Sequence, residues 1–199
     1  MRVYNKMTLE AIARNAHKKY KPLLLVGEPC AIPIEDMVER FYGLEIEYRF
    51  LRKSGSALGC TVFDDTLLPV WNPEEEQYEL LPVKRGTIVI SAALLGNNSD
   101  GRLRFTIAHE LAHWLLHQEL YSGGGIAAAS VIKTSLEEDP AVERQADILA
   151  TALLMPKNQV KRAFYALRGA AADPSASLAA LFDVSKQAMS IFLKDHRLV

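Results

Sequence analysis

The chain has 199 residues, of which 49% are apolar and 24% charged. That composition supports a globular body with a full hydrophobic core and excludes disordered or collagen-like classes. Lys and Arg number 23 against 24 acidic residues, so no global basic field draws the protein to nucleic acid or lipid. The balance is uneven, because residues 158–199 hold six basic side chains (Lys161, Arg162, Arg168, Lys186, Lys194, Arg197) and three acidic ones (Asp173, Asp183, Asp195). No stretch has the apolar core of a signal peptide or a membrane span, which predicts a cytoplasmic protein with no membrane contact.

Taken in chain order, Thr8 is expected to cap a helix over "LEAIARNAHKKY", and "PIEDMVERFYG" reads as a helix entered at Pro33 and stopped at Gly43. Cys30 and Cys60 have no paired spacing and read as small core residues. In "LEIEYRFL", Leu44, Ile46, Tyr48 and Phe50 alternate with charged residues, the period of a half-buried strand. "LGCTVF" and "GTIVIS" are further strands, separated by a polar excursion, "NPEEEQYELLP", read as a loop or a protruding hairpin. Beyond residue 100 the pattern is helical apart from a Gly-rich loop, "SGGGIAAAS". Strands first and helices after predict an α+β fold.

The chemistry is concentrated in "RFTIAHELAHWLLH". On a helix, His109 and His113 sit four residues apart on one face, about 6 Å from each other, so two imidazoles can meet at one ion. Zinc suits this pair, since it accepts nitrogen ligands at about 2.0 Å in tetrahedral geometry. Glu110 leaves that row but stays near the ion, where it can take a proton from water and return it to a leaving amine. His117 continues the row, yet it lies about 12 Å along the axis from His109, too far to share the ion. It reads as a partly exposed histidine at the helix end, favoured by the dipole.

A catalytic zinc needs a third protein ligand. In "DPAVERQADILATALLMP", Asp139 reads as the N-cap, Pro140 as the first helical residue and Pro156 as the stop. Val142, Ala146, Leu149, Ala150 and Leu153 form its buried stripe. Beside that stripe stand two carboxylates: Glu143 as the candidate third ligand, and Asp147 as acceptor for the outer ring N–H of a ligating histidine. No spacing argument selects between Tyr121 and Tyr165 as an aid at the oxyanion.

"FTIAHELAHWLLH" followed by "ERQADILATALLMP" resembles the ImmA/IrrE family of bacterial metallo-endopeptidases, whose signature is an H-E-x-x-H helix and a later helix with E-x-x-A-N/D ending in L-L-M-P. The likeness extends over roughly residues 30–199, with the "NPEEEQYE" excursion and the Gly-rich loop outside it. The resemblance implies His109, His113 and Glu143 as zinc ligands and Glu110 as catalytic base. It also implies a protein substrate, a helix-turn-helix repressor whose cleavage releases silenced genes.

The expected architecture is thus a zincin-like metallopeptidase core over residues 1–157, followed by a helical, helix-turn-helix-like segment over 158–199. In that segment Met189, Ile191 and Phe192 have the spacing of packing residues, so it is expected to pack on the peptidase and not to bind DNA directly. The "GTIVIS" strand is the expected place for a substrate to add as a further strand. Two other readings are an inactive scaffold that regulates a partner by binding, and a DNA-binding regulator acting through the last helices.

Overall fold

The computed structural model describes residues 3–96, 101–121, 139–167 and 173–199, and the Gly-rich loop lies outside them. Helix α1 (Lys6–Tyr20) begins earlier than the sequence reading has it: Asn5, not Thr8, is the N-cap, and its side chain accepts from Thr8 N at 2.9 Å. The short α2 (Leu23–Val26) and α3 (Ile34–Asp36) follow, and α3 runs on as a π-helical turn, Met37–Phe41. Gly43, at φ +65°, ends that segment in a conformation that suits glycine. Cys60 is buried as expected, but Cys30 is exposed, because it lies in the irregular link between α2 and α3 and not on a core-facing strand.

Strands β1 (Glu45–Arg49), β2 (Gly59–Thr61) and β5 (Thr87–Ser91) form a three-stranded sheet in the order β1-β5-β2, with β1 parallel and β2 antiparallel to β5. Every residue of β5 is buried. Ile88 and Ile90 enter the main core with the helices, while Val89 faces a second cluster with Cys60, Val62, Leu68 and Val70. That two-sided burial explains the unbroken apolar run of "GTIVIS". It also overturns strand addition at β5, whose two neighbours already occupy both of its edges. The polar excursion is a hairpin, β3 (Thr66–Asn72) antiparallel to β4 (Gln77–Val83).

Helix α4 (Arg102–Leu116) packs on the sheet, and α6 (Pro140–Leu154) packs on α4 and α1. Helix α4 contributes Ile107, Ala108, Leu111 and Ala112 to the main core, facing Ala146, Leu149, Ala150 and Leu153 of α6. Asp139 caps α6 by accepting from Ala141 N, with Pro140 at the first helical position. Short α5 (Gln118–Tyr121) precedes α6, and α7 (Lys157–Leu167), α8 (Pro174–Phe182) and α9 (Lys186–Asp195) follow it. Leu178, Phe182, Met189 and Leu193 are buried in the same core as α4 and α6. The turn between α8 and α9 is seated on the start of α4. A Cβ on Gly101 would lie 2.6 Å from the backbone of Val184 and Ser185, and Arg104 bonds both the carbonyl and the carboxylate of Asp183 at 3.1 Å. The architecture is α+β, small sheets with many helices, and is consistent with a zincin-like core. Among the described residues, no helix is long and apolar enough to cross a membrane.

Candidate metal centre

Helices α4 and α6 lie side by side with their polar positions turned to a common point. From α4, His109 and His113 bring their Nε2 atoms within 2.9 Å of each other. From α6, Glu143 places Oε2 3.3 Å from His109 Nε2 and Oε1 3.3 Å from His113 Nε2. One ligand atom from each of the three residues falls within 4.8 Å of the other two. A tetrahedral ion bonded at about 2.0–2.1 Å spaces its ligand atoms about 3.3 Å apart, so the observed spacings fit a metal without rearrangement of the helices.

The electrostatics fit as well. Burial alone would lower the His109 imidazole, but bonds to Asp147 and Glu143 and the charge of Glu110 outweigh it and push it up to about 10. Burial acts on Glu143 in the opposite sense and is likewise outweighed: the two histidines hold its carboxyl down at about 2. The pocket thus stabilises positive charge between the helices. Glu143 Oε1, moreover, is buried and makes no well-formed hydrogen bond, its contact being the ion pair with His113 Nε2 at 3.3 Å, and coordination would satisfy it.

The outer ring nitrogens of both histidines are also engaged. His109 Nδ1 lies 3.0 Å from Asp147 Oδ1, and His113 Nδ1 lies 3.1 Å from His117 Nδ1. If each inner nitrogen offers its lone pair to an ion, His109 donates through Nδ1 to Asp147 and His113 donates through Nδ1 to His117. These contacts fix tautomer and ring orientation. The position of His117 corrects the sequence reading: it is 2% exposed, not partly open to solvent. Burial, then the nearby His113, lowers its imidazole to about 4. It remains outside the group of three candidate ligand atoms, but it touches the ring of His113. The helix-end dipole argument fails here because Phe63 and Tyr121, from β2's continuation and α5, close over the end of α4.

Glu110 is 7% exposed and turned toward β2. Thr61 Oγ1 donates to its Oε2 at 2.7 Å and lies 2.9 Å from its backbone carbonyl. Gly59, two residues earlier and on the same face of the strand, lets the backbone close on that carboxyl: a Cβ there would sit 2.5 Å from Glu110 Oε1. The sequence reading missed both residues. The only signal was a glycine inside a strand, which often marks close approach by another group. Of the two tyrosines considered for the oxyanion, Tyr121 is buried behind His117, with ring centres 6.3 Å apart, and Tyr165 is exposed on α7. Burial drives the Cys60 thiol up to about 12, which removes a thiolate from consideration.

Comparison with known proteins adds one match. A peptidase family model described as an IrrE N-terminal-like domain matches residues 68–194, a span that takes in nearly all of the β3–β4 hairpin, helices α4 and α6, and α7 to α9. No curated protein matched the chain.

Proposed function

Because the chain belongs to the IrrE N-terminal-like peptidase family, we propose that it is a zinc-dependent endopeptidase in which His109, His113 and Glu143 hold the metal and Glu110 is the general base. The observation that carries this reading is the convergence of three ligand atoms from two helices, with a buried carboxylate one residue along from the first of them. Zinc in that position supplies Lewis acidity to a peptide carbonyl and lets water lose a proton near neutral pH.

The chain's own residues do the rest. Glu110 accepts the proton of the attacking water and delivers it to the departing amine, and Thr61 fixes the carboxylate for both transfers. Asp147 and His117 hold the two imidazoles in the orientation that ligation requires. An extended substrate is best placed along β2, the sheet edge that faces Glu110, since β5 is enclosed.

For the substrate we propose a helix-turn-helix repressor-type protein, supported by the likeness of the two active-site motifs to the ImmA/IrrE family. Residues 1–157 form the peptidase unit in this reading, with 158–199 as a supporting helical segment in the cytoplasmic protein. Two features favour support over direct DNA reading. Lys186, at the start of α9, is held by Asp173 at 2.6 Å, and Met189, Phe192 and Leu193 are buried. Incubation with the candidate repressor tests the proposal. Wild type should cut it, Glu110→Gln should keep its zinc and lose at least about 10²-fold in rate, and equal cutting by both would defeat the mechanism.

A further inference from the structure

The β3–β4 hairpin has two unlike faces. Residues paired across an antiparallel ladder share a face, and the register pairs Leu67 with Pro82, Pro69 with Leu80 and Trp71 with Tyr78. All six are apolar or aromatic and all lie on one face. The opposite face already has its partner, because Leu68, Val70 and Val83 are buried in the cluster with Cys60, Val62 and Val89. Lys53 touches the first face at its Trp71–Tyr78 end, donating its backbone N–H to Tyr78 Oη at 3.2 Å, yet the face stays open to solvent: Leu80 is 65% exposed, Leu67 53% and Tyr78 49%. A contiguous apolar patch of this kind on a protein surface marks an interaction site.

The hairpin also excludes one mode of binding. Trp71 N bonds Phe50 O outside the ladder at 2.6 Å, so alternate positions along β3, Pro69 among them, turn their backbone nitrogen outward. Pro82 occupies the equivalent outward position on β4. The outer edge of β3 therefore lacks a donor at mid-strand and that of β4 lacks one next to its end, which disfavours strand pairing and leaves the face as the docking element.

Charge selects the partner. The turn beyond Trp71 and Tyr78 is Glu74-Glu75-Glu76, all three exposed, and no ion pair engages them among the described residues. Asn72 shapes this turn by accepting from Glu74 N and Glu75 N. The nearby Lys53 is taken up by the face of Trp71, 4.7 Å from the ring centre. From the apolar face and its acidic tip we infer that this hairpin is a docking surface for a partner protein segment that carries basic side chains beside apolar ones. The base of the hairpin packs on Cys60 and Val62, and the alternate strand residue Thr61 touches Glu110. The docking face is the opposite one, so a partner held there lies on the side of the hairpin turned away from β2. The inference stands on the hairpin alone and not on the peptidase assignment.

The test uses the full chain carrying Glu110→Gln, so that a probe is not cut during measurement. Binding is read by fluorescence anisotropy with a fluorescein-labelled peptide of alternating Lys and Leu, and with its Glu/Leu counterpart of equal length. The basic peptide should bind at least about 10-fold more tightly than the acidic one, with affinity falling as salt rises. Glu74→Lys, Glu75→Lys and Glu76→Lys together should abolish that preference. Leu67→Ser with Leu80→Ser should weaken binding at least about 10-fold without shifting thermal unfolding, since both side chains are exposed. Equal binding of the two peptides, or indifference to either set of variants, would overturn the inference. So would self-association of the chain that Leu67→Ser with Leu80→Ser removes, because a second copy would then be the occupant.

Discussion

Replacing Gly59 by Ala tests how closely the carboxylate of Glu110, the proposed general base, is held. The added methyl would stand 2.5 Å from Glu110 Oε1, 2.8 Å from Cγ and 2.9 Å from Cδ. Reaching ordinary contact at about 3.4 Å requires the carboxyl to retreat by about 0.9 Å, and a misplacement near 1 Å can cost about 10²-fold in rate. The retreat also strains the 2.7 Å bond from Thr61, so the displaced carboxylate has no equivalent donor at hand. The three proposed metal ligands are untouched. Zinc content should therefore stay at the wild-type level while cleavage of the protein substrate falls about 100-fold, with the loss in kcat rather than KM. Thr61→Val should act in the same direction and Thr61→Ser should restore most of the rate. A Gly59→Ala chain that cuts at the wild-type rate would refute the placement of Glu110 against β2.

Metal retention ranks the remaining residues of the centre. Glu143→Ala should lose zinc most severely, and Asp147→Ala and His117→Ala should each lose about 10- to 100-fold in affinity, as expected for groups that orient a ligating histidine; competition with a chromophoric chelator gives the order. Removal of residues 174–199 deletes the buried Leu178, Phe182, Met189, Phe192 and Leu193, worth roughly 8–15 kcal/mol at about 1.5–3 kcal/mol per buried side chain. That equals the whole stability of an ordinary domain, about 5–15 kcal/mol, so the truncated chain should fail to fold, as read by circular dichroism and solubility. His17 makes a pH prediction. Burial holds its imidazole below the ordinary value, against the effect of its bond to the Leu153 carbonyl. The folded chain then binds fewer protons than the unfolded one just below about pH 6.5, so stability should fall as pH drops through that value. Urea unfolding at pH 7 and pH 5 should show a smaller loss for His17→Gln than for wild type.

The centre was legible in the sequence wherever its geometry is local to one helix. Four-residue spacing puts His109 and His113 on one face of α4, and the Asp-Pro start with the apolar stripe of α6 shows that Glu143 and Asp147 share an edge. What depends on contacts between distant segments was not legible. His117 looks like an exposed helix end until Tyr121 is seen beside it, with Phe63 packed on Tyr121 and Trp114. "LGCTVF" shows a strand, but not that Gly59 and Thr61 face Glu110. The apolar run of β5 is compatible with an edge or a centre, and only the pairing of β1 and β2 decides. The excursion is compatible with a loop or a protruding hairpin, because its polar tip obscures the period-two pattern of Leu67, Pro69 and Trp71, and only the pairing of β3 with β4 decides.

Zinc K-edge X-ray absorption on the purified, zinc-reconstituted chain reaches the central claim most directly, when combined with metal stoichiometry on the same sample. The account predicts a single zinc per chain in a shell of nitrogen and oxygen at about 2.0 Å, with multiple scattering from two imidazoles. In Glu143→Ala the zinc should be lost or its shell altered. A shell containing sulfur at about 2.3 Å, or stoichiometric zinc with an unchanged spectrum after Glu143→Ala, would contradict the His109–His113–Glu143 centre.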